Sequence, residues 1–496
     1  MTESDMIFEE LTIDAFHTGL RTGALTAVDL VDWYLARIQA NNNSGPQIQA
    51  VVTVNPRARH EAAMADSYLA STGTLSGPLH GVPVLVKDQA ETAGIRTTFG
   101  SNLFEGYVPE RDATLVTKLR DAGAVVLAKT AVCDFAAGWF SSSSVTDHTK
   151  NPYDLTRDSG GSSAGTAAGI AANFGLVGIG EDTGGSIRIP ASFNNLFGLR
   201  VTTGLISRVG FSPLVHFQDT PGPIGRTVSD VARTLESIVG YDPDDPLTVN
   251  AKDGSVGGGY VRALDRDVPL DNWRIGVLES GFDSGRDPDV EPVTGVIRAA
   301  IAHLEELGVS TTSALQIHEL SGWIADTAGY IQHSKSDLTE FLGGRPGAPV
   351  SSFMEVYGSK SFHPLNDLFH NIAEGPDQVD HADYVRIQRS QQEFREHILK
   401  LLADHRIDFL VYPTVKVIPP TRNELAASKY DCLTFPTNTV IAAQAGLPAL
   451  TIPAGFTDGG LPVGMELLGA PFAEASMLQF AHAWERATRL RKAPPL

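Results

Sequence analysis

Apolar residues recur at three- and four-residue spacing through Leu30, Val31, Tyr34, Leu35 and Ile38, with Thr26 placed to cap the first turn and the polar run NNNSG to stop it. Such a helix carries one apolar stripe and needs a larger body to cover it. The period then changes. Residues 48–54 read as a strand, 56–69 as a helix, and 81–86 as a short buried strand ending at Lys87. Residues 113–122 return to the helical period, and the apolar run 124–128 is again a strand. Beyond a glycine-rich centre the alternation resumes with a helix at 228–239, a strand at 274–278 and a helix at 293–307. A strand at 407–412 stops at Pro413, and a helix at 475–487 closes the pattern. Residues 318–380 lose clear periodicity and hold the stretch GGRPGAP, which reads as an irregular insertion or cap.

Strands alternating with helices predict an α/β fold: a single large α/β/α sandwich domain over 1–496, its mixed, largely parallel central sheet covered by helices. Residues 1–70 form its N-terminal helical segment. Length alone would leave the domain count open, because large α/β enzymes reach this size around one sheet.

Composition narrows the function more than the fold. With 58 acids against 38 bases the formal charge is −20, a poor match to phosphate backbones or anionic bilayers, so no nucleic-acid and no membrane partner is expected. No run of about 20 apolar residues is available to span a bilayer. The opening MTESDMIFEELTIDAF carries acids where an export signal carries bases, so a cytoplasmic protein is expected. Two cysteines, Cys133 and Cys432, supply neither a disulfide framework nor a zinc-ligand spacing.

The densest chemical signal is DSGGSSAGTAAGIAANFGLVGIGEDTGGSIRIPASF, where two glycine-serine clusters flank a small-residue helix and an apolar strand. Ser162 and Ser186 stand 24 positions apart. A helix rising about 1.5 Å per residue, followed by a strand returning at about 3.3 Å per residue, lets both clusters meet. In the second cluster, Thr183-Gly184-Gly185-Ser186, paired glycines permit consecutive N–H groups to face one side, as an oxyanion hole requires. A serine nucleophile needs a base, and no histidine lies near either cluster. Lys87, at the end of a buried strand, can serve if desolvation keeps its amine neutral. Gly161 to Gly165 also fits G-x-S-x-G with Ser163 as nucleophile, but that elbow follows a buried strand and residues 154–159 are polar. No complete dinucleotide or phosphate-loop motif occurs, so neither cofactor nor metal is expected.

The blocks GVPVLVKD, GGSSAGTAAGIAA, GEDTGGSIRIPASF and LPALTIPAGFTDGGLPVGMELLG, in that order from about residue 25 onward, resemble the amidase signature family. The resemblance implies a hydrolase that cleaves the C–N bond of an amide, anilide or carbamate. Ser186 would be the acylated nucleophile, Ser162 a bridging serine preceded by a cis peptide, and Lys87 the base. The N–H groups of Thr183, Gly184, Gly185 and Ser186 would form the oxyanion hole, with Ser163, Asp182 and Arg188 in support. The loop holding Phe135, Gly138, Trp139 and Phe140 would border the acyl pocket, and residues 412–414 and 435–438 would complete it. Two positions depart from the family pattern. Glu181 stands where a small or hydroxyl residue is common, and Asn194-Asn195 stand where Cys-Gly is frequent; neither is expected to touch the three central residues.

The partners so implied are a small-molecule amide or carbamate substrate and a second copy in a homodimer. Two other readings stay open. The glutaminase subunit of a tRNA-charging amidotransferase resembles the family throughout, and a non-catalytic scaffold could share the fold.

Overall fold

Several helices begin at a capping hydroxyl, among them those after Thr12, Thr26, Thr227, Ser352 and Thr421. The computed structural model of the chain describes residues 8–252, 258–266, 268–283, 285 and 287–496, so the acidic opening of residues 1–7 lies outside the described residues. Thr26 accepts a hydrogen bond from the Asp29 N–H and starts helix Ala27–Asn41, which buries Leu30, Val31, Tyr34 and Ile38. Thr227 does the same for helix Val228–Ile238.

One sheet organises the chain. Its strands are β1 (Val51–Val54), β2 (Pro83–Lys87), β3 (Val125–Thr130), β4 (Val177–Glu181), β5 (Phe197–Arg200), β6 (Pro221–Gly225), β7 (Arg274–Leu278), β8 (Ser310–Leu315), β9 (Phe409–Pro413), β10 (Ala449–Phe456) and β11 (Pro462–Leu468). They lie in the order β1-β3-β2-β4-β6-β5-β10-β11-β9-β7-β8. Every residue of β2, β3, β4, β5, β6, β9 and β11 is buried, as continuous apolar runs covered on both faces require.

The α/β class and the mixed sheet are as expected, but parallel pairing is narrower than the alternation implied. It is confined to the flanks, β3-β2-β4 on one side and β9-β7-β8 on the other. The centre, from β4 through β6, β5, β10 and β11 to β9, is antiparallel. β10 and β11, for example, are joined across residues 457–461, too short a link for a parallel crossover.

The segment 318–380 is helical rather than irregular. It holds helices Leu320–Thr327, Tyr330–Gly343, Phe353–Ser359 and Leu368–Glu374. Leu338, Phe341 and Leu342 form the buried stripe of the second helix, and the Ser352 side chain caps the third. These apolar faces share one buried cluster with Phe99, Phe104, Phe135, Trp139 and Phe140, which sets the helices over the loop following β3. Among the described residues no helix is long and apolar enough to cross a membrane.

Candidate active site

β2 and β4 run side by side and parallel, with Val86 opposite Ile179, so Lys87 and Glu181 emerge together at one carboxyl edge of the sheet. Helix Ala164–Ala171 packs closely on the sheet because it is built from small residues. A Cβ at Gly165 would collide with the Ala50 carbonyl just before β1 and the Ala131 amide just after β3. Its start presents Ser162 to the lysine: Lys87 Nζ donates to Ser162 Oγ at 2.8 Å and to the Glu181 carbonyl at 3.1 Å. Both side chains are fully buried, and the Gly161–Ser162 peptide is cis.

The two glycine-serine clusters do meet. The Ser163 N–H donates to the Ser186 carbonyl at 3.1 Å, and Ser163 Oγ lies 3.3 Å from both the Glu181 carbonyl and its amide nitrogen. Among the described residues no group hydrogen-bonds the Ser186 hydroxyl, so the Lys87–Ser162 link is made while a Ser162–Ser186 link is not. The Thr183–Ser186 loop has its carbonyls held from behind. Gln218 Nε2 donates to the Thr183 carbonyl at 2.6 Å, and Thr439 Oγ1 to the Gly184 carbonyl at 2.7 Å. Gly185 has φ +147° with Thr439 against it, and a Cβ at Gly184 would collide with the Trp139 ring and the Tyr330 hydroxyl. Among the described residues no protein acceptor takes the N–H of Thr183, Gly184, Gly185 or Ser186. Four unpaired amides beside two serines and an amine suit the binding of a carbonyl that gains negative charge.

Buried charge surrounds this loop. Arg188 Nη2 reaches Asp182 Oδ1 at 3.0 Å, Arg200 Nη1 reaches the same oxygen at 3.2 Å, and Arg188 also bonds Glu466. Burial pushes the Asp182 carboxyl up, yet Arg188 and Arg200 together hold it below the usual carboxylate range. Burial drives the Lys87 amine below the ordinary lysine range, with the Glu181 carboxylate opposing that shift. Glu181 and Asp219 both move upward, first through burial. Contrary to expectation, Glu181 does touch the central residues: its Oε2 lies 3.6 Å from Lys87 Nζ, both side chains fully buried.

Of the aromatic loop, Trp139 lies against Gly184 and Phe140 packs its backbone against Gly161, so these two border the clusters. Gly138 sits beside the sulfurs of Cys133 and Cys432. Phe135 instead stacks on Phe99, 6.1 Å between ring centres, inside the apolar cluster. Phe435 meets Phe140 edge-on at 5.0 Å. Gln218, Asp219, Tyr330 and Thr439 carry no signal in the sequence, and Glu181 shows there only as a departure from the family pattern. A parallel β2–β4 pair would have signalled Glu181, but strand order is not written locally, and the others reach the loop across long separations.

The family model described as Amidase matches residues 29–478. A glutamyl-tRNA(Gln) amidotransferase subunit from Synechococcus sp. (strain JA-2-3B'a(2-13)) is 34% identical over 501 residues, covering 98% of this chain and 93% of that protein. The native peptide amidase from Stenotrophomonas maltophilia superposes with a TM-score of 0.85 at 33% identity, covering 98% of this chain and 99% of that one. The corresponding glutamyl-tRNA(Gln) amidotransferase subunit from Thermotoga maritima gives a TM-score of 0.74 at 28% identity, covering 99% and 98%. The amidotransferase relatives overturn the expectation of a small-molecule amide or carbamate substrate with nucleic acid excluded. An acidic total over one chain does not exclude a tRNA-handling assembly, because the basic surface can sit on other subunits.

Proposed function

This chain belongs to the amidase signature family of hydrolases acting on amides, and from that membership we propose that Ser186, Ser162 and Lys87 cleave a carboxamide through an acyl-enzyme. The observation that carries the reading is the 2.8 Å bond from a buried lysine amine to Ser162, with no histidine among the described residues hydrogen-bonded to Ser162 or Ser186. Ser186 Oγ attacks the carbonyl carbon and gives its proton to Ser162, whose own proton passes to the Lys87 amine. The carbonyl oxygen, now negative, is held by the N–H groups of Thr183 to Ser186. Collapse of the adduct breaks the C–N bond while the Lys87 ammonium returns a proton through Ser162 to the leaving nitrogen. Water then attacks the acyl group by the same relay and frees Ser186. Asp182, clamped by Arg188 and Arg200, accepts the Ile187 N–H at 3.1 Å and so holds the turn after Ser186.

For its setting, the amidotransferase relatives favour the glutamine-hydrolysing subunit of a tRNA-charging assembly, in which the amide nitrogen leaves as ammonia for use by partner subunits. A second reading, hydrolysis of a peptide amide by the chain alone, is favoured by the higher TM-score with the Stenotrophomonas maltophilia enzyme. Ammonia release separates them. The first reading expects release from glutamine that rises on adding amidotransferase partner subunits and glutamyl-tRNA; the second expects release from C-terminal peptide amides without them. No release from either substrate in any mixture would refute both.

A further inference from the structure

Glu181 is an ionisable side chain that the proposed relay does not use. Its Oε1 accepts from Thr183 Oγ1 at 3.2 Å and from the Thr220 N–H at 3.3 Å. Its Oε2 is buried and stands within ion-pair distance of Lys87 Nζ, with the Gln89 side-chain amide also directed at this carboxylate. The amine therefore meets three oxygens: Ser162 Oγ, the Glu181 carbonyl and Glu181 Oε2. A neutral amine has two protons and one lone pair. With the protons turned to the two Glu181 oxygens, the lone pair is left facing Ser162, the group from which it must take a proton.

Resting on the serine–serine–lysine reading above, we propose that Glu181 is a positioning residue of that relay: its carboxylate offsets the desolvation of Lys87 and keeps the amine basic enough to accept the proton. Burial alone disfavours the ammonium form and leaves an amine that is always neutral but too weak a base, whereas a base works best when it titrates near the working pH. A carboxylate at 3.6 Å restores basicity. The groups that set the charge of Glu181 in turn are all close by. Asp219 shares the Thr183 hydroxyl with it, at 2.6 Å from Asp219 Oδ1. Asp182 precedes that threonine and is neutralised by Arg188 and Arg200, and the Cys133 thiol, held protonated by burial, lies on the lysine's side.

The test is the pH dependence of Ser186 modification by an uncharged fluorophosphonate, comparing the full chain with Glu181→Gln and Glu181→Ser. Removing the carboxylate makes Lys87 easier to deprotonate, so the acid limb of the rate moves at least about one unit to lower pH. The weaker base also lowers the plateau about threefold or more, so the variant and wild-type curves cross. A purely structural role lowers the rate without moving the limb. An unmoved limb, or one moved to higher pH, with Ser186 still the labelled residue in both variants overturns the proposal. So does failure of both variants to fold, which would make Glu181 a structural residue. Absence of Ser186 labelling in the wild type removes the relay reading itself, a result distinct from an unmoved limb.

Discussion

Replacing Lys87 by methionine removes the buried amine but keeps an unbranched side chain of similar length, so its consequences separate electrostatics from packing. The lysine lies 3.6 Å from Glu181 Oε2 and neither side chain is exposed. At an effective dielectric of about 20 that separation is worth about 4–5 kcal/mol while both groups are charged, and stripping one partner from a buried pair costs about 3–5 kcal/mol because the other charge is left uncompensated. Glu181 can escape by binding a proton. Its carboxyl already lies above the usual range through burial, and loss of the lysine raises it further. A folded-state value above the unfolded one means that stability is whole below the unfolded carboxylate range and is lost as pH rises through the folded value. Lys87→Met should therefore lose about 3–5 kcal/mol near pH 8 and distinctly less near pH 5, read by denaturant unfolding. Adding Glu181→Gln should restore stability to within about 1 kcal/mol of wild type, since the two changes couple. Activity should not follow: single and double variants both lose about 100- to 10,000-fold in Ser186 acylation, because the base is gone. A loss under about 1 kcal/mol with no pH dependence, or acylation within tenfold of wild type, would refute the reasoning.

Gly184→Ala should clash with the Trp139 ring and the Tyr330 hydroxyl, costing about 1–3 kcal/mol in unfolding experiments and more than tenfold in fluorophosphonate labelling; an alanine variant with full labelling would contradict the placement of that loop. Asp230, buried at the start of helix Val228–Ile238, accepts the Ile13 N–H at 2.9 Å, and burial pushes its carboxyl up to about 6. That value exceeds the unfolded 3.8, so its contribution is whole at low pH and is lost as pH rises through about 6. Asp230→Asn should flatten this loss, by about 2–3 kcal/mol between pH 4 and 7; thermal unfolding across that range checks it, and an unchanged slope would count against it.

Much of the fold was legible because local chemistry wrote it. The Thr26 cap, the apolar run ending at Lys87 and strand 274–278 are all set by neighbours in sequence, and the structure keeps them within a few residues. The antiparallel centre was not legible, because alternation of strands and helices tells which elements form but not which strands pair. The helices of 318–380 were missed because three of the four are eight residues or shorter, too brief for a period to establish itself, although Leu338, Phe341 and Leu342 do carry the helical spacing. At the site, the meeting of the two glycine-serine clusters follows from spacing, and the placement of Lys87 from the apolar strand that it ends. The contact of Glu181 with Lys87 depends on β2 lying next to β4, and the clasp of Gln218, Tyr330 and Thr439 around the Thr183–Ser186 loop depends on contacts spanning up to 255 residues. No local pattern encodes those.

Labelling the wild-type chain with a fluorophosphonate, followed by peptide mapping of the adduct, tests the nucleophile directly. The adduct should fall on Ser186 alone and vanish in Ser186→Ala, with the unfolding temperature of that variant unchanged. An adduct on Ser162 or Ser163, or undiminished labelling of a folded Ser186→Ala chain, would contradict the account.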